Sequence, residues 1–238
     1  MNMTTVCSSS SCNKAGSGDN ALKTCSVCHA AWYCSVECQK EDFASHKPSC
    51  TKAGCELLFK AIEDGNEQEI RRLAKTKRVL NGRVDYRPNE KVFLVQWSAM
   101  HQCVRLTKPD LMKILIENDA KIEIEDVDQE TPLFVASTSR CLECVSTLLA
   151  AGANPNAAAE DGWSCVMMAA RDGNYDITKA LLDYGADLNR GHDMFGRGPL
   201  ELVNQMRTGQ GTRMSEGESF DEARHKYDRI ADLLQQHM

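Results

Sequence analysis

Seven cysteines and one histidine crowd the first fifty residues of this chain: Cys7, Cys12, Cys25, Cys28, Cys34, Cys38, His46 and Cys50. The last six read C-x2-C-x5-C-x3-C-x7-H-x3-C without interruption. Eight nitrogen and sulfur donors divide into two sets of four, the number that a tetrahedral structural zinc site takes. A catalytic zinc keeps one position open for water or substrate. Full coordination therefore predicts two zinc ions that hold structure rather than perform chemistry.

The competing use of so many cysteines is a disulfide framework, which belongs to small secreted domains. The opening MNMTTVCSSSSCNKAGSG has neither the charged start nor the apolar core of a signal peptide. A reducing compartment, cytoplasmic or nuclear, is the expectation, and thiolates there serve metals. Residues 1–50 also offer few large apolar side chains, chiefly Leu22, Val27, Trp32, Tyr33, Val36 and Phe43. A unit that small needs a staple to fold. Within it, Cys25 and Cys28 form a two-thiol knuckle. A helix starting near Ser35 brings Cys34 towards Cys38, and the same four-residue step separates His46 from Cys50. Pro48 marks the expected end of that helix. Spacing alone leaves sequential and interleaved pairing of the donors both open.

The stretch TCSVCHAAWYCSVECQKEDFASHKPSC, with its YCS, CQ, DF, H and C in order, resembles the MYND-type zinc finger over residues 7–50. The resemblance implies interleaved pairing, with Cys7, Cys12, Cys34 and Cys38 on one ion and Cys25, Cys28, His46 and Cys50 on the other. One departure is the first pair, C-x4-C here instead of the usual C-x2-C. The family binds short proline-containing peptides through a Gln and a Trp on the helix and a Ser in the knuckle. The matching positions are Gln39, Phe43 and Ser26, with Phe43 in place of the commoner Trp. A groove with a smaller aromatic anchor is implied.

Beyond Cys50 the composition changes and the chain repeats. When DQETPLFVASTSRCLECVSTLLAAGANPN is aligned with DGWSCVMMAARDGNYDITKALLDYGADLN, Thr131 falls on Ser164, Leu133 on Val166, Ala136 on Ala169, Leu149 on Leu182 and Gly152 on Gly185. Every offset is 33, and one further step back reaches Ser98, Met100, Cys103, Ile116 and Asp119. Pro132 suits a first helical position, Ile177, Ala180 and Leu181 have helical spacing, and Gly152 and Gly185 sit where a helix ends in a left-handed turn. Such helix pairs cannot bury their apolar faces singly and stack into a solenoid. The period and the TPLFVA and LLDYGADLN segments resemble the ankyrin repeat.

The expected fold is thus mostly α: a zinc-stapled finger over 7–50, then an ankyrin-repeat solenoid over 55–238 with about five repeats, the first and last atypical. Repeats at about 94–126, 127–159 and 160–193 follow a capping helix pair at 55–76. Residues 77–92 read as a solvated loop. A fifth repeat begins at 196–206, and its second helix is displaced by an insertion of about 18 residues. That last helix carries Phe220, Ala223, Tyr227, Ile230 and Leu234 along one stripe. A free partner-binding helix is the alternative.

Composition narrows function. Lysine and arginine number 28 against 34 acidic residues, a net charge of −6. Residues 1–54 carry five lysines and four acids, which leaves the solenoid with about −7. The basic stripe of a nucleic-acid binder is missing, as is any run of eighteen apolar residues that would span a membrane. Nor is there a phosphate loop, a nucleophile elbow or an HExxH motif, so neither catalysis nor a small-molecule substrate is expected. MYND fingers also accompany SET-domain lysine methyltransferases, but the repeats use the whole remaining chain. A transcriptional cofactor or methyltransferase-related regulator in the nucleus is the runner-up to a protein–protein adaptor. The CxxC at Cys141 and Cys144 reads as repeat packing, and His101 as a structural hydrogen-bonding residue. The partner surface is expected at the hairpin tips, near Glu125, Asp128, Glu130, Glu160 and Trp163.

Overall fold

The computed structural model describes residues 23–25, 32–33, 36–86, 95–209 and 219–238. Two short strands, β1 (Lys23–Thr24) and β2 (Trp32–Tyr33), pair antiparallel with Lys23 opposite Tyr33. They precede a long helix, α1 (Val36–Glu63), against which β2 rests. The helix does not stop at Pro48. The proline ring removes one backbone donor and collides with the preceding turn, but the helix is anchored beyond it. Cys50, Gly54, Leu58 and Ile62 recur every fourth residue, and all four are buried. One continuous helix therefore bridges the finger and the first repeat.

The solenoid follows as helix pairs. α1 pairs with α2 (Glu67–Ala74), α4 (Ala99–Arg105) with α5 (Pro109–Glu117), and α6 (Pro132–Thr138) with α7 (Leu142–Ala150). A short α3 (Lys77–Leu80) lies between the first two pairs. α8 (Cys165–Arg171) pairs with α9 (Tyr175–Asp183), and α10 (Pro199–Arg207) with α11 (Phe220–Gln236). First helices stack in the order α1, α4, α6, α8, α10, and second helices in the order α2, α5, α7, α9, α11. Between the columns runs one apolar core that includes Leu58, Leu73, Met100, Leu115, Leu133, Leu148, Met167, Leu181, Val203 and Leu234.

The repeat register explains the helix starts. Ser98 and Thr131 cap α4 and α6, with Thr131 Oγ1 accepting from the Phe134 amide at 3.2 Å. At the other end of each pair, Gly152 and Gly185 adopt φ of +91° and +86°, as their register predicts. Asp119 holds the same position one repeat earlier at φ +59°, where its carboxylate meets the Lys77 ammonium at 2.5 Å.

The expected loop at 77–92 is corrected by α3 and by strand β3 (Arg83–Tyr86), which pairs antiparallel with β4 (Val95–Ser98). Val79 and Leu80 are buried, and Val84 faces Trp97 across the ladder, both packed on the core. Basic residues recur along the segment in sequence, but Val79, Leu80 and Val84 dock it. Gly82 lets the connection lie directly on Cys55, since a Cβ there would collide with the Cys55 sulfur. The last helix is the second helix of the fifth helix pair: α11 packs on α10 and α9. Its stripe holds at Ala223, Tyr227, Ile230 and Leu234, whereas Phe220 is 45% exposed and leans its ring towards Gly209.

His101 has the structural role expected of it. Its Nδ1 accepts from the Ser98 amide at 3.3 Å and lies 2.9 Å from Ser98 Oγ. Its Nε2 lies 3.1 Å from the Glu130 carbonyl, to which it donates in the neutral tautomer. Burial pushes its pKa down to about 4. The unfolded chain therefore binds a proton near pH 6.5 that the folded chain refuses until about pH 4. Stability from this residue is complete above pH 6.5 and is lost as pH falls towards 4, by about 3 kcal/mol. Denaturant titrations of wild type and His101→Gln should diverge in slope across that window. Parallel curves would show that His101 is not held neutral.

Candidate metal centre and binding surface

Of the eight expected donors, Cys25 and Cys50 lie among the described side chains. Cys38 and His46 are carried on α1, as are Gln39 and Phe43 of the expected peptide groove, but their side chains fall outside the described set. Cys7, Cys12, Cys28, Cys34 and Ser26 lie outside the described residues.

Cys25 follows β1, and Cys50 sits mid-way along α1; they are 3% and 8% exposed. Their sulfurs approach to 3.6 Å as free thiols. Two thiolates bound to one tetrahedral zinc at ~2.3 Å would stand about 3.8 Å apart. The pair thus fits two corners of such a site. The contact is one that interleaved pairing requires, because a sequential scheme puts Cys25 and Cys50 on different ions. On the neighbouring α2, Glu69 grips Arg72 through Nε at 2.7 Å and Nη2 at 2.6 Å. The Arg72 guanidinium holds its proton more tightly than usual, first through that hydrogen bond, against partial burial, and with help from the charges of Glu69 and Cys25.

Leading into the first helices α6, α8 and α10, the connections between repeats form a row of tips. Asp126 Oδ1 accepts from the amides of Asp128 at 2.9 Å and Glu130 at 3.0 Å. Two repeats later Asp193 does the same for Phe195 at 2.9 Å and Arg197 at 3.0 Å. The middle tip closes through Ala159 donating to the Trp163 carbonyl at 3.0 Å. Neighbouring tips are joined by Glu160 donating to the Asp128 carbonyl at 3.3 Å and His192 to the Gly162 carbonyl at 3.1 Å.

Asp128, Glu130, Ala159, Glu160 and Asp161 line a cleft of about 360 Å³ between the first two of these tips. Burial, with the nearby carboxylates of Asp126, Asp128 and Asp161, raises the pKa of Glu130 to about 7. The structure therefore brings together three of the expected binding residues. Glu125 is exposed but does not line the cleft. Trp163 is half-buried, packed on the core with the Arg171 guanidinium 4.8 Å over its ring. Sequence reading missed Asp161, although it stands one 33-residue step from Asp128. It also missed the apolar third tip, where Met194 and Phe195 are 85% and 72% exposed. Among the described residues no three His, Cys, Asp or Glu side chains are placed to hold a metal ion. The Cys141–Cys144 pair belongs to packing, with Cys141 capping α7 and Cys144 fully buried.

Comparison with known proteins agrees with this architecture. The MYND finger family model matches residues 7–50, and the ankyrin-repeat family model matches residues 83–159 and 100–192. The chain is 34% identical over 108 residues to human ankyrin repeat and SOCS box protein 11, covering 44% of this chain and 32% of that one. An ankyrin repeat protein of fowlpox virus is 33% identical over 141 residues, covering 57% of this chain and 29% of its own. Glycerophosphocholine phosphodiesterase of Candida albicans is 33% identical over 86 residues, only 7% of its length. The chain spans a third or less of these curated relatives. MYND fingers bind zinc, and both modules mediate protein–protein interaction. With a finger at its start and stacked 33-residue repeats behind it, the chain is a MYND-type zinc finger protein with C-terminal ankyrin repeats.

Proposed function

We propose that the protein is an adaptor without catalytic activity, working in the cytoplasm or nucleus, whose finger and solenoid each hold a protein partner. The finger takes two zinc ions, one on Cys7, Cys12, Cys34 and Cys38 and one on Cys25, Cys28, His46 and Cys50. The Cys25–Cys50 approach of 3.6 Å supports the second set. A proline-containing peptide lies beside α1 in a groove made by Ser26, Gln39 and Phe43, as the family resemblance implies. Phe43→Ala is the variant that tests this groove on a peptide array.

The observation that carries the solenoid half is the acidic cleft between tips. Four carboxylates, from Asp128, Glu130, Glu160 and Asp161, line it, and a Lys or Arg side chain of a partner offsets their mutual repulsion. A cationic side chain entering the cleft expels the proton that Glu130 holds near neutrality. Affinity for a lysine- and arginine-rich peptide is therefore expected to rise between pH 6 and 8 and to fall with added salt. Asp128→Lys combined with Glu160→Lys should weaken it about tenfold or more, and Glu130→Gln should flatten the pH dependence. Equal affinity of wild type and double variant would remove the cleft as the docking site.

A further inference from the structure

Beyond the finger, the solenoid's cysteines are of two kinds. Cys55, Cys103 and Cys165 are buried in the core. The sulfurs of Cys55 and Cys165 point at the carbonyls of Val79 at 3.5 Å and Ala157 at 3.3 Å. Burial pushes the Cys55 thiol up to about 11 and the Cys165 thiol up to about 12, and buried thiols of this kind are inert. Cys141 differs. It is half-buried at the start of α7, where its sulfur caps the helix by accepting from the Cys144 amide at 3.3 Å. Its own amide donates to Ser139 Oγ at 3.4 Å, which fixes the turn before the helix. Its thiol donates to the sulfur of Cys144 at 2.8 Å. Cys144 itself is fully buried on the core side of α7, and that burial pushes its thiol up. Nothing stands between the two sulfurs, and a disulfide bond of ~2.05 Å needs an approach of roughly 0.8 Å more. The residues between them, Leu142 and Glu143, are exposed.

We propose that Cys141 and Cys144, which pack as thiols in the reduced protein, are a reversible oxidation site: Cys141 reacts with hydrogen peroxide and Cys144 resolves the product as a disulfide. The reaction runs through the Cys141 thiolate, the nucleophilic form of the residue. Its sulfur attacks one peroxide oxygen, the O–O bond breaks, and the departing hydroxide takes up the proton that Cys141 gave up. Cys141 is left as a sulfenic acid. The Cys144 sulfur then attacks that sulfur, the S–O bond breaks, and the hydroxyl leaves as water with the Cys144 proton. Two thiols and one hydrogen peroxide thus give one disulfide and two waters. An external dithiol returns the two electrons by exchange. The division of labour follows from position: the reachable sulfur meets the oxidant, and the buried one waits at contact distance. A disulfide of this kind in a reducing compartment is transient and redox-sensing.

The test treats the full zinc-loaded chain with hydrogen peroxide, then unfolds it, alkylates it and maps its fragments by mass. Fragment 141–171 carries Cys141, Cys144 and Cys165. It should lose two of its three alkyl groups and keep the one on Cys165. A cut after Glu143 falls between the paired cysteines, so the two pieces should stay joined until dithiothreitol separates them. In Cys144→Ala the sulfenic acid has no resolver, and a dione probe should label Cys141 more strongly than in wild type. In Cys141→Ser, Cys144 should stay fully alkylated, because no reachable sulfur remains to start the reaction. Oxidation of the finger leaves this readout untouched, since every measured sulfur lies in one fragment of the solenoid. The wild-type map decides the outcome even where a variant fails to fold. Three alkyl groups retained after peroxide, oxidation of Cys141 with Cys144 still a thiol, or a disulfide that includes Cys165 overturns the proposal.

Discussion

Cys50→Ser is expected to lower the zinc content from two ions per chain to one or fewer and to unfold the finger. The reason is a mismatch of scale. Structural zinc contributes roughly 10–16 kcal/mol of apparent binding free energy in small fingers, and that energy is folding energy. The finger's few apolar side chains cannot replace it. A serine hydroxyl is not ionised at neutral pH and leaves the metal with one ligand too few. At Cys50, 8% exposed and 3.6 Å from Cys25, it also leaves a polar group facing a thiol in a buried place. The repeats from Ala99 onward should keep their helical signal, because each draws its stability from its neighbours. Elemental analysis with amide exchange over α1 checks both halves. Retention of two ions would show that Cys50 is not a ligand.

The repeats were legible because their signals are local and recur. Ser98 and Thr131 start helices by capping them, Pro132 fits a first turn, and Gly152 and Gly185 supply the left-handed step. None of these depends on a distant residue. What escaped depends on tertiary contact. Pro48 reads as a stop, but buried anchors at Cys50, Leu58 and Ile62 carry the helix through it. Residues 83–86 read as charged loop until Val84 meets Trp97 across a ladder whose other strand lies a dozen residues on. The cleft was half visible: the acidic run around Asp128 is plain in sequence, yet its meeting with Glu160 and Asp161 requires two tips to stack. Exposure of Met194 and Phe195 has no sequence signature, since the same residue types fill the core elsewhere.

Tyr227→Ala should cost about 3–5 kcal/mol, the range for emptying a buried aromatic site. Tyr227 is fully buried on α11, and its hydroxyl donates to the Arg171 carbonyl at 2.8 Å, at the end of α8. That bond satisfies a carbonyl near the last turn of a helix, where no intrahelical partner exists. The side chain therefore ties the displaced final helix to the helix pair before it. Tyr227→Phe keeps the ring and removes only the hydrogen bond, so about 1 kcal/mol is expected. Phe220→Ala is the contrast on the same helix: its ring is 45% exposed, and the loss should be well under that of Tyr227→Ala. Urea unfolding of the three variants orders them. If α11 were a free helix docked only by a partner, Tyr227→Ala would unfold at the wild-type midpoint. A large loss instead makes α11 the closing helix of the stack, since only a helix already seated on α9 and α10 has a core to empty.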